Sequence, residues 1–205
     1  VRGLFITVEG IDGAGKSTHL AWLRSFFETR GRAAVLTREP GGTPVGESLR
    51  ALILNPVEPL HPETEALMVF AARREHLARV ILPALSEGKV VLCDRFTDAT
   101  YAYQGYGSGI DLSKLEVLED WVQGSLRPDI TVLLDVPTEI GRQRAAGQRD
   151  ADRFERERSE FFERVRRGYM ERARRYPQRF IVIDANQKPE YVQKKLEEYF
   201  SALSL

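Results

Sequence analysis

The stretch "FITVEGIDGAGKST", Phe5 to Thr18, decides the fold. Its first part has the composition of a buried strand. "GIDGAGKS" (Gly10–Ser17) then fits the spacing G-x-x-x-x-G-K-[ST]. Beyond it Leu20, Leu23, Phe26 and Phe27 recur at helical spacing, and Gly31 follows the expected helix end. A glycine-rich turn between strand and helix is a phosphate cradle. Gly10, Gly13 and Gly15 open backbone conformations closed to other residues, so N–H groups along Gly10, Ile11, Asp12, Gly13, Ala14 and Gly15 can converge on one anion. The helix that starts near Lys16 adds the positive end of its dipole, with Ser17 and Thr18 in its first turn. Lys16 is expected at the β/γ-phosphates and the Ser17 hydroxyl on Mg²⁺, so the bound group is the triphosphate tail of ATP or GTP.

Four further apolar runs read as strands: "AAVLT" (33–37), "KVVLCD" (89–94), "ITVLLDV" (130–136) and "RFIVID" (179–184). With residues 4–9 they make five nearly continuous runs, the pattern of a parallel sheet covered on both faces. Helical patterns separate them: Pro62 to about Leu85, near Asp152 to Tyr176 before Pro177, and Pro189–Ala202. The expectation is an α/β chain, a three-layer α/β/α P-loop NTPase fold with a five-stranded parallel sheet. It forms one domain over 1–205, with ligands beyond the C-terminal strand ends. "DRFTDATYAYQGYG" (94–107) is expected as a loop packed by Tyr101, Tyr103 and Tyr106.

Composition narrows the function. Lys+Arg and Asp+Glu both number 30, so the formal net charge is zero and bulk capture of nucleic acid or an anionic membrane is not expected. One cysteine, Cys93, excludes an intrachain disulfide. No apolar run approaches a membrane span and no signal-peptide pattern opens the sequence, which suggests a cytoplasmic protein.

A kinase for an anionic acceptor must bring two polyanions together, which calls for cations from several directions. Arg38 ends the second strand and Asp94–Arg95 end the third, while Arg142, Arg144, Arg149 and Arg153 follow the fourth. Asp94 either orients a Mg²⁺-bound water or holds Arg95, or does both. A guanine-nucleotide switch would need N-K-x-D after a later strand and D-x-x-G after the third; "LLDVPTE" and "CDRF" stand there instead. A nucleic-acid motor is disfavoured by size and neutral charge.

In order along the chain, "EGIDGAGKST", "TREPGGT" (37–43), "FAARREH" (70–76), "DRFTDATYAYQG" (94–105), "RPDITVLLDV" (127–136) and "DRFE" (152–155) resemble the bacterial thymidylate kinase family. The resemblance implies Mg-ATP-dependent phosphorylation of dTMP to dTDP by a homodimer. It implies that Phe70 stacks on thymine, Arg74 bonds its carbonyl edge, Thr100 meets the ring nitrogen with Gln104 nearby, and Tyr103 lies under the deoxyribose. Arg38 and Arg95 would hold the acceptor phosphate, Asp12 would sit near it and the 3′-OH, and Glu39 and Pro40 would belong to the same pocket. Arg73 stands where some members carry an acidic residue before the base-reading arginine, and Ala99 where serine is frequent. In one branch an arginine occupies the place of Gly13; with glycine here, Arg149 and Arg153 of a lid around 142–155 are the expected charge-stabilising arginines. A kinase for another nucleoside monophosphate is the nearest alternative. His19, His61 and His76 are expected to be surface or structural residues.

Overall fold

The computed structural model describes residues 2–146 and 159–203. The strands are β1 (Phe5–Glu9), β2 (Ala34–Arg38), β3 (Val90–Asp94), β4 (Ile130–Asp135) and β5 (Phe180–Asp184). They form one parallel sheet in the order β2-β3-β1-β4-β5, with Thr7 of β1 aligned on Cys93 of β3 and Thr131 of β4. The chain leaves β1 toward one edge of the sheet and leaves β3 toward the other. That reversal opens a crevice beyond the ends of these two strands.

The helices are α1 (Lys16–Glu28), α2 (Pro44–Leu54), α3 (Pro62–His76), α4 (Leu82–Ser86), α5 (Thr97–Thr100), α6 (Leu112–Gln123), α7 (Thr138–Ala145), α8 (Ser159–Arg175) and α9 (Pro189–Ala202). Strand alternation splits the core in two. Ile6, Val8, Val90 and Leu92 meet Leu23 and Phe27 of α1 and Leu196 and Phe200 of α9. On the other face Phe5, Val91 and Cys93 meet Phe70 of α3 and Leu115 of α6.

The expected helix from Pro62 to about Leu85 is α3, a π-helical turn at Leu77–Ile81, and α4. Pro83 supplies the reason: without an N–H, and with a ring that crowds the carbonyl four residues back, it cannot continue a regular α-ladder. The wider turn before it carries the chain through, with the Leu82 N–H bonded to the Leu77 carbonyl. The segment expected as a loop after β3 is instead α5 followed by a π-helical run, Tyr101–Gly107. Residues 96–105 are buried there, and a buried loop would strand backbone polar groups that a helix satisfies internally. Helices α2, α6 and α7 were not anticipated, and the described part of the helix expected from Asp152 begins at Ser159.

Leu92 is fully buried in β3 between the central β1 and the edge strand β2, paired with Ile6 and Leu36. Leu92→Ala should lower unfolding free energy by about 2–5 kcal/mol in urea titration, through lost burial plus a cavity that rigid neighbours cannot close.

Candidate active site

The loop after β1 bounds a large cleft of ≈ 1690 Å³, lined by Asp12 to Thr18 together with Arg38, Asp94 and Arg95. Lys16 is buried and folded back on the loop, its Nζ donating to the Gly10 and Ile11 carbonyls at 3.2 and 3.1 Å. Burial, then the nearby Arg95 cation, pull its ammonium below the ordinary lysine range. A phosphate would relieve both penalties. Gly13 stands at φ 78° with the Gly141 carbonyl 2.0 Å from where a Cβ would be, so no arginine fits in this loop. Ser17 is exposed, and the Asp94 Oδ1 is buried without a hydrogen-bond partner. That orphaned carboxylate oxygen on the wall of a phosphate cleft suits a hydrated divalent cation held mostly by phosphate oxygens. Among the described residues no cluster of three acidic, His or Cys side chains could hold a metal unaided.

A second cleft of ≈ 590 Å³ lies between α2, α3 and the helical run after β3. Pro40, Arg73, Thr100, Tyr103 and Gln104 line it, with Val69 and Ala99. The two clefts share Asp12, Glu39, Arg50 and Arg95. Three arginines gather at this junction, each handled differently. Arg38 is clasped by Glu47 at 2.7 and 3.2 Å. Arg95 donates to Asp12 at 2.9 Å and to the Tyr169 hydroxyl at 3.0 Å. Arg50 donates to the Pro40 carbonyl at 2.9 Å, and among the described residues no carboxylate lies within ion-pair reach of it. Burial, then the charges of Arg38 and Arg95, lower its pKa from the ordinary value. An under-compensated cation facing both clefts is an anion site.

The pair expected from sequence to read the base, Phe70 and Arg74, does not line this cleft. Phe70 is buried in the core on Phe5 and Phe96, and Arg74 is exposed and donates to the Val122 carbonyl at 3.3 Å; neither lines the cleft. Val69 and Arg73 do. Both pairs are four apart, so helical spacing fits either; a one-residue step turns the face by about 100° and sends the wrong pair away. Arg73 also brings its own carboxylate: its Nε donates to Glu39 at 2.7 Å and its Nη2 to the Thr100 hydroxyl at 2.8 Å. The carboxylate that pairs with Arg73 thus comes from the end of β2 rather than from α3.

Arg95 has φ 67°, left-handed and sparsely populated for a non-glycine residue. Its N–H donates to the Val8 carbonyl at 3.0 Å, and the next N–H, of Phe96, donates to Glu9 Oε1 at 2.7 Å. The other Glu9 oxygen accepts from Tyr169 at 3.0 Å, the same hydroxyl that receives Arg95. Glu9 therefore fixes both the backbone and the guanidinium of Arg95.

A family model described as thymidylate kinase matches residues 8–196. The chain belongs to the thymidylate kinase family. It is 57% identical to a thymidylate kinase of Nitrosospira multiformis over 99% of each chain, and 56% identical to one of Nitrosomonas europaea over 99% of this chain and 96% of that one. A crystal structure of thymidylate kinase from Ehrlichia chaffeensis superposes with a TM-score of 0.76 at 36% identity, covering 98% of this chain and 99% of that one. Thymidylate kinases phosphorylate dTMP to dTDP using ATP.

Within this thymidylate kinase fold, Asp12, Arg38, Glu39, Pro40, Asp94, Arg95, Thr100, Tyr103 and Gln104 come together at the two clefts as the sequence suggested. Arg149 and Arg153 lie outside the described residues. Arg50, Glu9 and Tyr169 were missed. Arg50 could have been found: Thr43 accepts from the Gly46 N–H and Pro44 opens the helix, a start signal that brings Arg50 and Ile53 to one face. Arg144, one of the arginines expected after β4, lines the first cleft and donates to the Ala185 carbonyl at 2.8 Å. Of the histidines, His76 and His19 are buried and His61 caps α3.

Burial, then the nearby Asp98 charge, push Glu9 up to about 8. A carboxyl that keeps its proton in the fold but not in the unfolded chain makes stability fall as pH rises from about 4.5 toward 8, and flatten above. Glu9→Gln should remove that slope in urea midpoints taken across this range, with the residual pH dependence set by other groups.

Proposed function

We propose that this chain, read as one kinase domain, carries out in-line transfer of the γ-phosphoryl of Mg-ATP to the 5′-phosphate of dTMP, without a covalent enzyme intermediate. The observation that carries the proposal is the shared arginine edge of the two clefts, Asp12–Arg50–Arg95, where donor and acceptor phosphates would meet. The ATP phosphates are assigned to the backbone from Gly10 to Thr18 and to Lys16. The acceptor phosphate is assigned to Arg38, Arg50 and Arg95. A phosphate monoester is largely dianionic near neutral pH, so the acceptor oxygen needs no strong base; positioning and charge neutralisation supply the rate.

The acceptor base is assigned to the cleft under Arg73, with Thr100 and Gln104 beside it, Val69 as an aliphatic floor, and Tyr103 near the sugar. Arg73 uses three of its five N–H groups within the protein, two short and one at 3.4 Å to Gln123, which leaves donors for a keto oxygen. Asp12 is assigned to the sugar-phosphate end. Ser17 and Asp94 are the residues that would hold Mg²⁺, the latter through water, and the ion would neutralise charge on the phosphate oxygens. Arg149 and Arg153 are proposed as lid arginines within 142–155. The described neighbours give that segment firm ends: Arg142 donates to Ser159 at 2.7 Å, and Arg166 clasps Asp135 at 2.7 and 2.9 Å. A cytoplasmic homodimer acting on ATP and dTMP, not on nucleic acid or membrane, completes the proposal. Among the described residues no helix is long and apolar enough to cross a membrane.

The test is ADP release from Mg-ATP across dTMP, dUMP, dCMP, dGMP, dAMP and UMP, with a control lacking acceptor. The expected result is a rate with dTMP well above the others. dUMP should follow as the slower alternative, since one methyl discriminates by about 1–3 kcal/mol. Hydrolysis indifferent to acceptor would exclude the proposal. In the same assay Arg73→Ala should raise the KM for dTMP by roughly tenfold or more, whereas Arg74→Ala should leave it within about twofold. The reverse order would restore the pair expected from sequence.

A further inference from the structure

Behind Arg73 lies a run of buried polar groups that leads away from both clefts. Glu39, 3% exposed, gives one carboxylate oxygen to Arg73 Nε at 2.7 Å and the other to His76 Nδ1 at 2.8 Å. The far ring nitrogen of His76 lies 2.6 Å from the Thr37 hydroxyl. Arg73 and His76 are three apart on α3 and grip the two oxygens of a single carboxylate from β2's end. Neither His76 nor Arg73 is more than 1% exposed. Gly42 closes the assembly from outside: a Cβ there would stand 2.6 Å from the imidazole and 2.7 Å from the Thr37 hydroxyl. The Phe70 and Phe96 rings pack against the guanidinium, each with its centroid 4.8 Å from the Arg73 Cζ.

The directions of these bonds follow from the protonation of Glu39 and His76. An ionised Glu39 accepts only, so His76 Nδ1 donates to it; in the neutral ring Nε2 then accepts, and Thr37 donates. Glu39 could otherwise rotate its carboxylate, and with it the Arg73 fork, because the Arg73 bonds to Thr100 and Gln123 restrain only the Nη end. His76 removes that freedom. It touches neither cleft.

We propose that His76 is a positioning residue for acceptor recognition: by fixing Glu39 it fixes the Arg73 N–H groups toward a keto-bearing pyrimidine edge, with Thr37 as the outer anchor. This rests on the assignment of Arg73 to the acceptor base. Its consequence is selective. Loosening His76 weakens dTMP binding and narrows the preference for a keto over an amino group at the base edge, while the phosphate machinery at Lys16, Arg50 and Arg95 stays in register.

The experiment is steady-state kinetics on His76→Leu, His76→Asn, Thr37→Val and Arg73→Ala, with dTMP and dCMP as acceptors and ATP varied separately. His76→Leu should raise the KM for dTMP by roughly tenfold and Thr37→Val by about threefold. The KM for ATP and the kcat at saturating dTMP should stay within about twofold, and the dTMP-to-dCMP ratio of kcat/KM should fall. His76→Asn, which can keep a donor to Glu39, should recover most of the loss. An unchanged dTMP KM in both His76→Leu and Thr37→Val, with Arg73→Ala impaired, overturns the positioning role alone. So does a loss spread equally over ATP KM, dTMP KM and kcat, the mark of general loosening. An Arg73→Ala enzyme with normal dTMP KM overturns the base assignment itself.

Discussion

The site depends on one strained residue. Arg95 sits at φ 67° at the tip of β3, a conformation that costs on the order of 1–3 kcal/mol for a side chain of its kind. The strain turns the guanidinium into the junction of the two clefts instead of letting it follow the strand. What holds it there is buried and local: the Val8 carbonyl, the Glu9 carboxyl through the Phe96 N–H, and the Tyr169 hydroxyl. β1 thus contributes twice, first through its loop as a phosphate cradle and second through Glu9 as a brace for the facing arginine. The parallel order that aligns Val8 with Asp94 makes both possible.

The electrostatics follow from the same arrangement. A site for two polyanions must carry positive charge that its own fold tolerates before ligands arrive. The fold grades the compensation. Arg172 and Arg179 are matched to the fully buried Asp98, at 2.8 and 2.7 Å, and belong to the support below the site. Arg95 is matched to Asp12, which is partly exposed, and Arg50 is left under-compensated at the cleft surface. From Arg172 and Arg179 through Arg95 to Arg50 compensation falls from the interior toward the cleft, with Arg38, clasped by Glu47, outside that gradient. The gradient also appears along β1, whose residues on one face run from Phe5 in the apolar core through Thr7 to Glu9 beneath the site.

The sequence made the sheet legible because five apolar runs are long enough to be buried and lie at distances that only crossovers can bridge. Strand bounds differ by a residue or so from those expected. The phosphate loop was legible because its chemistry is local: the backbone that binds is the backbone that is spelled. The acceptor cleft was less so. Arg50 comes from a helix whose apolar face is short, and Glu9 reads as the polar end of a strand until Tyr169, 160 residues away, is seen against it. Phe70 and Arg74 fall outside the cleft for a different reason. A helix repeats every 3.6 residues, so spacing fixes relative rotation but not which side meets the ligand. In "VFAARR" both an apolar residue and an arginine stand at each of two adjacent phases, and only the carboxylate at the end of β2 decides between them.

The same carboxylate anchors an ion cluster buried behind the second cleft. An exposed Arg–Glu pair would be free to swing and would contribute little. Burial of Arg73, Glu39 and His76 carries a desolvation cost that their mutual bonds must offset, and such a cluster is poor evidence of stability. Its return is geometric. With two rings packed against it, a carboxylate at Nε and a hydroxyl at Nη2, the guanidinium has essentially one orientation. The difference between a keto and an amino group at a base edge is a difference in the direction of one hydrogen bond. A donor that cannot rotate or lose its proton rejects the wrong edge by leaving two donors opposed, whereas a mobile one would turn aside. Specificity of this kind needs rigidity more than affinity, and a buried network is how a helix end and a strand end can supply it.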